Sequence, residues 1–325
     1  MKNSDPRVGV FVLANDRVVD WFSAFVASFR EYSLYVPLRL IPFDEQSSRC
    51  ESLVRQAGGD VYRDDAAFDR LERIGRMLEI GKTASGPHWF RRFVAFDGPF
   101  DAFAYLDCRM VVLADLSGFA AAARSHDVPL VHYDAVINQV YNDGPVRTSF
   151  CRQGLGHGFS SNIWASRKGL FSLEQMEAAG KELVAVRDQM NPRNTDQFFL
   201  NYLCDSHGIR ACHIADLDSR FAHSAWANDR GAIYEDADGI WRKWDFGGLQ
   251  HRRQMLFLHW AGIRLHPAMP HFSIYRRFRR PRRGPLGLAS ESVSMAAGKI
   301  VHAMRSNRWL NTGYHRLRSW AEGQR

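Results

Sequence analysis

The sequence contains no segment suited to crossing a membrane or to export. No apolar run approaches the roughly 20 residues that a transmembrane helix needs. The N-terminal residues Met1–Arg7 lack the apolar region of a signal peptide. Internal repeats are absent, and the one low-complexity segment is an arginine cluster at 276–283. We therefore expect a cytoplasmic protein.

Cysteine is scarce and shows no pairing pattern. The five cysteines are odd in number, and none lies in a Cys-x-x-Cys motif. This pattern predicts reduced thiols in a cytosolic compartment.

Acidic residues are nearly missing from the end of the chain. Residues 271–325 contain twelve Lys or Arg and two Glu, a net charge of +10, whereas the whole chain carries +8. Residues 1–270 are therefore close to neutral, and the basic character belongs to the extension alone. We expect one α/β domain over 1–270 and a basic, aromatic-rich extension over 271–325.

The extension combines arginines with aromatic residues, as in Tyr275–Arg283, and the spacing in Ser290–Met304 predicts a helix. Basic residues among interfacial aromatics favour an anionic membrane surface. The alternatives are a helical extension packed on the body and a solvated tail. No nucleic-acid-binding motif accompanies the arginines, so nucleic acid is not expected as a partner.

The body alternates short apolar runs with segments of helical periodicity, which predicts a doubly wound α/β sheet. Predicted strands are Val8–Leu13, Leu38–Ile41, Gly58–Tyr62, Ala102–Leu106, Pro129–Tyr133, Phe159–Ala165 and Met255–Trp260. Predicted helices include Trp21–Phe29, Asp65–Ile80, His88–Phe96, Gly118–Ser125, Leu173–Met190 and Asp196–Cys204 (the last capped by Thr195), and Asn142–Gly158 is predicted as a loop.

The stretch Asp101–Leu116 organises this pattern. Ala102–Leu106 is an apolar run typical of a strand buried on both faces. Asp107 follows directly, and a carboxylate at the end of a buried strand needs a partner or a ligand. Ligands of open α/β sheets bind at that end of the strands. Side chains alternate along a strand, so Asp107 and Arg109 are expected to point the same way.

Five features, in order and at similar spacing, resemble those of GT-A glycosyltransferases of the retaining family-eight type. Tyr105–Arg109 is similar to the Tyr-Leu-Asp-x-Asp motif, and Phe159–Ile163 to Phe-Asn-Ser-Gly-Val. Thr195–Asn201 resembles Asp-Gln-x-x-Leu-Asn, and His259–Arg264 resembles His-x-x-Gly-x-Lys. Arg91 falls about where such enzymes carry a donor-binding arginine.

The resemblance implies a GT-A-like mixed sheet flanked by helices and the transfer of a sugar from a nucleotide-diphosphate donor, most often a UDP-sugar. The acceptor would be a glycan, a lipid-linked glycan or another hydroxyl, with retention of configuration. The family's catalytic positions correspond to Asp196 and Gln197. Its donor-binding positions correspond to Asn15, Asp16, Arg91, Asp107, Arg109, Ser161, Asn162, His259, Gly262 and Arg264.

The same resemblance implies Mn²⁺ or Mg²⁺, with Asp107 and His259 as candidate ligands. Arg109 departs from the family pattern, because a carboxylate stands there in the motif. Arg109 could pair with Asp107 or hold the diphosphate directly. A diphosphate leaving group needs fixed positive charge in the transition state, and a metal or an arginine can supply it.

Structural roles remain open for several of these residues. Asp107 could cap a turn, Asp196 could be a first-turn acid stabilised by the helix dipole, and His259 could be a core histidine. The rival function is a non-catalytic GT-A-like binding protein that has lost its metal site. A nucleotidyltransferase would share the fold type, but the glycine- and lysine-rich phosphate loop expected near the first strand is missing.

Overall fold

The computed structural model describes residues 7–79, 86–135, 139–191, 196–229, 231–244 and 252–279. The predicted cap Thr195, the predicted helix Ser290–Met304 and the rest of 280–325 lie outside these ranges. The chain divides into two compact units, Met1–Trp260 and Ala261–Arg325. The division into domains at residue 270 stays a prediction.

The first unit is built on a seven-stranded mixed sheet in the order β3-β2-β1-β4-β7-β6-β8. Only β7 runs antiparallel to its neighbours, β4 and β6. The seven strands are β1 Val8–Ala14, β2 Leu38–Pro42, β3 Asp60–Val61, β4 Ala102–Asp107, β6 Leu130–His132, β7 Ile163–Arg167 and β8 Ala211–His213. Two smaller sheets pair β5 Met110–Val112 with β12 Phe257–His259, and β10 Trp241–Trp244 with β9 Ile233–Glu235 and β11 Arg252–Gln254.

Helices flank the sheet, and the doubly wound α/β class that the sequence predicts is confirmed. The α-helices of the first unit are α1 Val19–Tyr32, α2 Ser48–Gln56, α3 Asp65–Met77, α4 Ser117–Ser125, α5 Pro145–Arg152, α6 Leu173–Val184, α7 Gln197–Ser206 and α8 Ile214–Leu217. Among the described residues, 3₁₀ helices run over Asp16–Val18, Gly86–Asp97 and Arg187–Gln189. The second unit contains α9 Phe272–Arg279. Within the described residues, no helix is both long and apolar enough to traverse a bilayer.

Successive side chains of the central strands point to opposite faces of the sheet, and each face packs into its own apolar cluster. Val10 and Val12 of β1 belong to one cluster, and Phe11 and Leu13 belong to the other. The strand is therefore buried on both sides, which explains its unbroken apolar run.

Several boundaries differ from the sequence-based predictions. The predicted helix His88–Phe96 is a 3₁₀ helix, and the predicted helix Leu173–Met190 is α-helical only to Val184. The predicted loop Asn142–Gly158 contains α5, and the sequence analysis missed α2. The strands predicted at 58–62, 159–165 and 255–260 form at Asp60–Val61, Ile163–Arg167 and Phe257–His259.

Candidate functional site

A cavity of about 190 Å³ opens at the C-terminal ends of β1 and β4, where Leu13 and Asp107 lie side by side in the parallel pair. Ligands of open α/β sheets bind at this edge. Its walls come from the end of β1, the following turn, the 3₁₀ helix Gly86–Asp97 and the β4–β5 connection. The lining residues are Leu13, Ala14, Asn15, Arg17, Val18, Phe43, Trp89, Arg92, Tyr105, Asp107, Cys108 and Arg109.

The tight connection from β4 to β5 fixes Asp107 and Arg109. The backbone N–H of Asp107 donates to the carbonyl of Asn162 at 2.8 Å. Its carboxylate Oδ1 accepts the backbone N–H of Arg109 at 2.7 Å. The carbonyl of Arg109 in turn accepts the N–H of Trp260 at 2.9 Å. The backbone of both residues is therefore held, and both side chains line the cavity.

The pairing of β12 with β5 brings His259 to this strand end. His259 pairs with Met110 in the register of the two strands, and its Nε2 lies 4.0 Å from Oδ1 of Asp107. The side chain is almost fully buried, and Nδ1 has no hydrogen-bond partner among the described residues. Burial lowers the pKa of His259; Asp107 opposes this shift, while Arg109 and Arg92 add to it. His259 is therefore a neutral imidazole at pH 7.

Arg92 enters the site from the 3₁₀ helix and is completely buried. Its Nη1 lies 3.0 Å from Oδ2 of Asp196 and donates to the carbonyl of Ser161 at 3.0 Å. The guanidinium also lies 4.9 Å from the ring centre of Tyr105. Burial disfavours the charged form, but Asp196 raises the pKa of Arg92 above its ordinary value. Arg92 is thus a fixed cation in the wall of the cavity.

Asp196 and Gln197 lie at the start of α7, as predicted. Asp196 is the N-cap residue and is 1 % exposed. Gln197 is buried, and its Nε2 donates to the carbonyl of Gln139 at 3.3 Å. Asp196 reaches the cavity only through Arg92, since neither α7 residue lines it.

Asn15, Ser161 and Asn162 position this edge of the sheet. Asn15 lines the cavity, and its Nδ2 donates to Asp44 Oδ2 at 2.7 Å. Ser161 presents its carbonyl and hydroxyl to Arg92, and Asn162 presents its carbonyl to Asp107.

Two predicted donor-binding residues point elsewhere. Arg91 donates through Nε to Glu72 Oε1 at 2.6 Å and through Nη1 to the carbonyl of Pro42 at 3.2 Å. Asp16 accepts the backbone N–H groups of Arg49 and Cys50, both at 3.0 Å, at the first turn of α2. Neither residue lines the cavity.

Gly262 and Arg264 belong to the second unit. Gly262 has a φ angle of +68°, a left-handed backbone conformation that residues other than glycine rarely adopt. Arg264 is exposed. Their assignment to donor binding stays a prediction.

Four further residues line the cavity without having been predicted from the sequence: Arg17, Phe43, Trp89 and Arg92. Arg91 and Arg92 lie next to each other in the sequence, and which of them faces the cavity depends on how the 3₁₀ helix packs against α3. Side chains turn by about 120° per residue in a 3₁₀ helix. Arg91 therefore faces Glu72 of α3, and Arg92 faces the cavity.

The topology defines a class of protein: the fold is that of the GT-A glycosyltransferases. The apo structure of the bifunctional glycosyltransferase WbbM matches with a TM-score of 0.54 and 14% identity over 90% of this chain. The galactosyltransferase LgtC, solved with donor and acceptor sugar analogues, matches with a TM-score of 0.53 and 13% identity over 87% of this chain and 99% of LgtC. An active-site variant of LgtC gives a TM-score of 0.52 at 14% identity, over 83% of this chain and 93% of the variant.

The chain spans 52% of the length of WbbM. No protein-family model and no curated protein sequence matches the chain. The likeness to these enzymes is therefore one of fold.

The residues at the strand end do not fit the divalent metal that the family motif implies. In the described ranges, no three His, Cys, Asp or Glu side chains come together as metal ligands. Asp107 offers one carboxylate, with Oδ1 already accepting the Arg109 N–H. The side chain of Arg109 lines the same cavity, so a bound cation would meet a guanidinium where the motif has a second carboxylate.

Proposed function

We propose that this protein is a glycosyltransferase that moves a sugar from a nucleotide-diphosphate donor to a hydroxyl acceptor. The observation that carries the proposal is the cavity at the ends of β1 and β4, which combines Asp107 with three arginines, Arg17, Arg92 and Arg109. A cavity with this charge suits a diphosphate, and it lies at the ligand-binding edge of a GT-A sheet.

The residues of the cavity support a division of roles. Phe43 and Trp89 give one wall an aromatic surface, with ring centres 5.3 Å apart, which suits a nucleobase or a ribose. The arginines face the diphosphate, whose negative charge grows as the sugar leaves. Fixed guanidinium groups stabilise this charge without reorganising during the reaction.

Asp196 acts from behind Arg92. Its carboxylate holds the guanidinium at 3.0 Å in a dry environment, so the arginine keeps its charge and orientation. The family resemblance gives Asp196 and Gln197 a role at the transferred sugar. Because neither residue lines the cavity, Asp196 acts through Arg92 in this proposal. Retention of configuration, a UDP-sugar donor and a glycan or lipid-linked acceptor are its finer parts, and they rest on the five motifs alone.

The direct test is a donor panel. The purified protein is incubated with UDP-, GDP-, ADP- and CMP-linked sugars, and release of free sugar is measured by chromatography. Release from a nucleoside-diphosphate sugar supports the proposal. Absence of release from every donor would contradict it.

The rival function is a non-catalytic nucleotide-sugar-binding protein, and Arg109 is the observation that favours it. On this alternative, the same donors raise the melting temperature but are never cleaved. Thermal shift and sugar release, measured on the same samples, separate the two functions.

The location of the protein is a further part of the proposal. The net charge of +10 over residues 271–325 supports binding to an anionic membrane surface, and the cysteine pattern supports a cytoplasmic setting.

A further inference from the structure

In the resemblance drawn from the sequence, Arg109 stands where the Asp-x-Asp motif of family-eight glycosyltransferases has its second acid. We propose that its guanidinium takes the place of the divalent cation at the donor diphosphate, so that this site binds its donor without metal. This inference rests on the proposed function and specifies the chemistry of the same site.

The charge at the strand end supports the exchange. Two carboxylates with one divalent cation carry no net charge, and neither do Asp107 and Arg109 together. The substitution therefore keeps the electrostatic balance of the motif without an ion. A guanidinium also offers two parallel N–H donors, which match two phosphate oxygens in direction as well as charge.

The side chain of Arg109 is available for this role. It lines the cavity and is partly exposed. It makes no hydrogen bond or ion pair with any residue that the structure describes, Asp107 included. Its backbone is fixed on both sides, by Oδ1 of Asp107 at 2.7 Å and by the N–H of Trp260 at 2.9 Å. Because the backbone is held in place and the guanidinium has no partner among the described residues, Arg109 is suited to bind a ligand.

Arg92 supplies the second, independent observation. It is fully buried and lines the same cavity, yet its Nη2 lacks a hydrogen-bond partner within the described parts of the chain. A buried donor without an acceptor is costly, and an anion in the cavity would supply the acceptor. Arg17, exposed at the rim, adds a third positive charge.

The same charges disfavour a metal ion. Among the described residues, a divalent cation at Asp107 would find one other candidate ligand, His259, and it would be repelled by Arg109, which lines the same cavity. An acidic residue at position 109 should therefore make the site prefer anion binding with a metal ion over anion binding without one.

The first experiment uses inorganic pyrophosphate as a probe, because it reports the diphosphate site without base or sugar. Binding is measured by titration calorimetry, once with excess EDTA and once with Mn²⁺. We expect binding in EDTA that added Mn²⁺ does not strengthen and that salt weakens. Binding that requires Mn²⁺, or no binding of pyrophosphate in either condition, would overturn the proposal.

Three variants locate the effect. Arg109→Ala should lose about 10- to 100-fold in pyrophosphate affinity, the range for a charge-assisted hydrogen bond. Arg109→Asp should bind pyrophosphate only when Mn²⁺ is added. Arg124→Ala, which removes an exposed arginine of α4 away from the cavity, is the matched control and should bind like the wild type. Equal affinities for all three variants would overturn the role of Arg109.

Metal binding is read directly from the electron paramagnetic resonance signal of free Mn²⁺. A protein-free mixture of Mn²⁺ and pyrophosphate sets the reference signal, because pyrophosphate itself binds Mn²⁺. The wild type should not lower this reference signal, whereas Arg109→Asp should deplete it further. Depletion by the wild type would overturn the proposal. Thermal melting of each variant confirms folding, and Arg109→Gln replaces Arg109→Ala if that variant does not fold, while Arg109→Glu replaces Arg109→Asp.

The metal-free anion site and the transferase activity can be confirmed or rejected independently of each other. Pyrophosphate binding in EDTA together with no sugar release from any donor would leave the metal-free anion site standing and would remove the transferase. Sugar release that stops in EDTA and returns with Mn²⁺ would leave the transferase standing and would remove the metal-free site.

Discussion

Arg92 and Asp196 form a buried ion pair, with Nη1 and Oδ2 separated by 3.0 Å and both side chains at most 2 % exposed. The pair joins the 3₁₀ helix to the start of α7, and one of its members lines the cavity. Breaking such a pair by removing one partner costs about 3–5 kcal/mol, because the other charge stays buried. Stability and binding are therefore coupled at this point.

Adjacent arginines provide a matched comparison. Arg91 is also buried and paired, but with Glu72 and away from the cavity. Replacing arginine by lysine keeps the positive charge but removes the planar guanidinium with its paired N–H donors. We therefore compare Arg92→Lys, in the cavity, with Arg91→Lys, outside it. We expect Arg92→Lys to lose at least about 10-fold more affinity for UDP or pyrophosphate, since one charge-assisted hydrogen bond contributes about 1.5–3 kcal/mol. Melting temperatures serve as the control for stability, and a larger loss in Arg91→Lys would support the sequence-based assignment of Arg91.

The role of Asp107 is tested by Asp107→Ala. The carboxylate holds the Arg109 backbone and faces His259, while its side chain is 14 % exposed, so its loss should disable the site without unfolding the protein. We expect sugar release to fall at least about 100-fold, the scale of losing one positioned catalytic interaction, with little change in melting temperature. Asp69→Ala, an exposed acid on α3, is the control. Activity of Asp107→Ala near that of the wild type would rule out this role.

The sequence predicted the parts of the fold that burial determines. β1 and β4 were expected because strands covered on both faces require unbroken apolar runs, and this pattern also placed Asp107 at the ligand-binding edge. α2 and α5 were missed for the opposite reason. α2 buries only Cys50 and Val54, and α5 buries none of its residues, so neither has a full apolar stripe to detect.

The candidate site was predictable in outline and not in detail. The order of the motifs along the chain grouped Asp107, Arg109 and His259 in one predicted site. In the structure, the pairing of β12 with β5 brings His259 to the strand end where Asp107 and Arg109 lie. Arg91 and Arg92 are adjacent, and the packing of the 3₁₀ helix turns Arg91 towards Glu72 and Arg92 towards the cavity, which leaves no local pattern in the sequence. Phe43 and Trp89 reach the cavity through tertiary packing, which leaves no local pattern.

The basic extension is tested by charge removal in the full-length protein. Arg280, Arg282, Arg283, Arg305 and Arg308 are replaced by serine, which lowers the net charge of 271–325 from +10 to +5. Each basic residue near an anionic surface contributes about 1 kcal/mol, so vesicle binding should fall steeply. Co-sedimentation with phosphatidylserine vesicles measures this, and binding to neutral vesicles is the control. Equal sedimentation of the two proteins would reject a membrane role for the extension.

His132 should make stability depend on pH. It is 7 % exposed, stacks on Phe159 at 5.0 Å and lies edge-on to His213 at 5.1 Å. Burial, reinforced by His213, lowers the pKa of His132 to about 3, whereas an unfolded histidine titrates near 6.5. Because the pKa of His132 is lower in the folded state than in the unfolded state, the unfolded state binds the proton first as the pH falls. The stabilisation is therefore present above about pH 6.5 and is lost as the pH falls towards about 3.

Replacing the imidazole should remove this dependence. In His132→Phe, the free energy of unfolding should fall less steeply between pH 6.5 and 4, by up to about 1.36 kcal/mol per pH unit for one proton. Urea denaturation at a series of pH values measures the slope. The pKa of His213 is also lowered by burial, but His213 is present in both proteins, so the difference between their slopes belongs to His132. His126→Gln, at an exposed position, controls for the loss of a histidine. Parallel slopes for the wild type and His132→Phe would show that His132 is not the group that couples stability to pH.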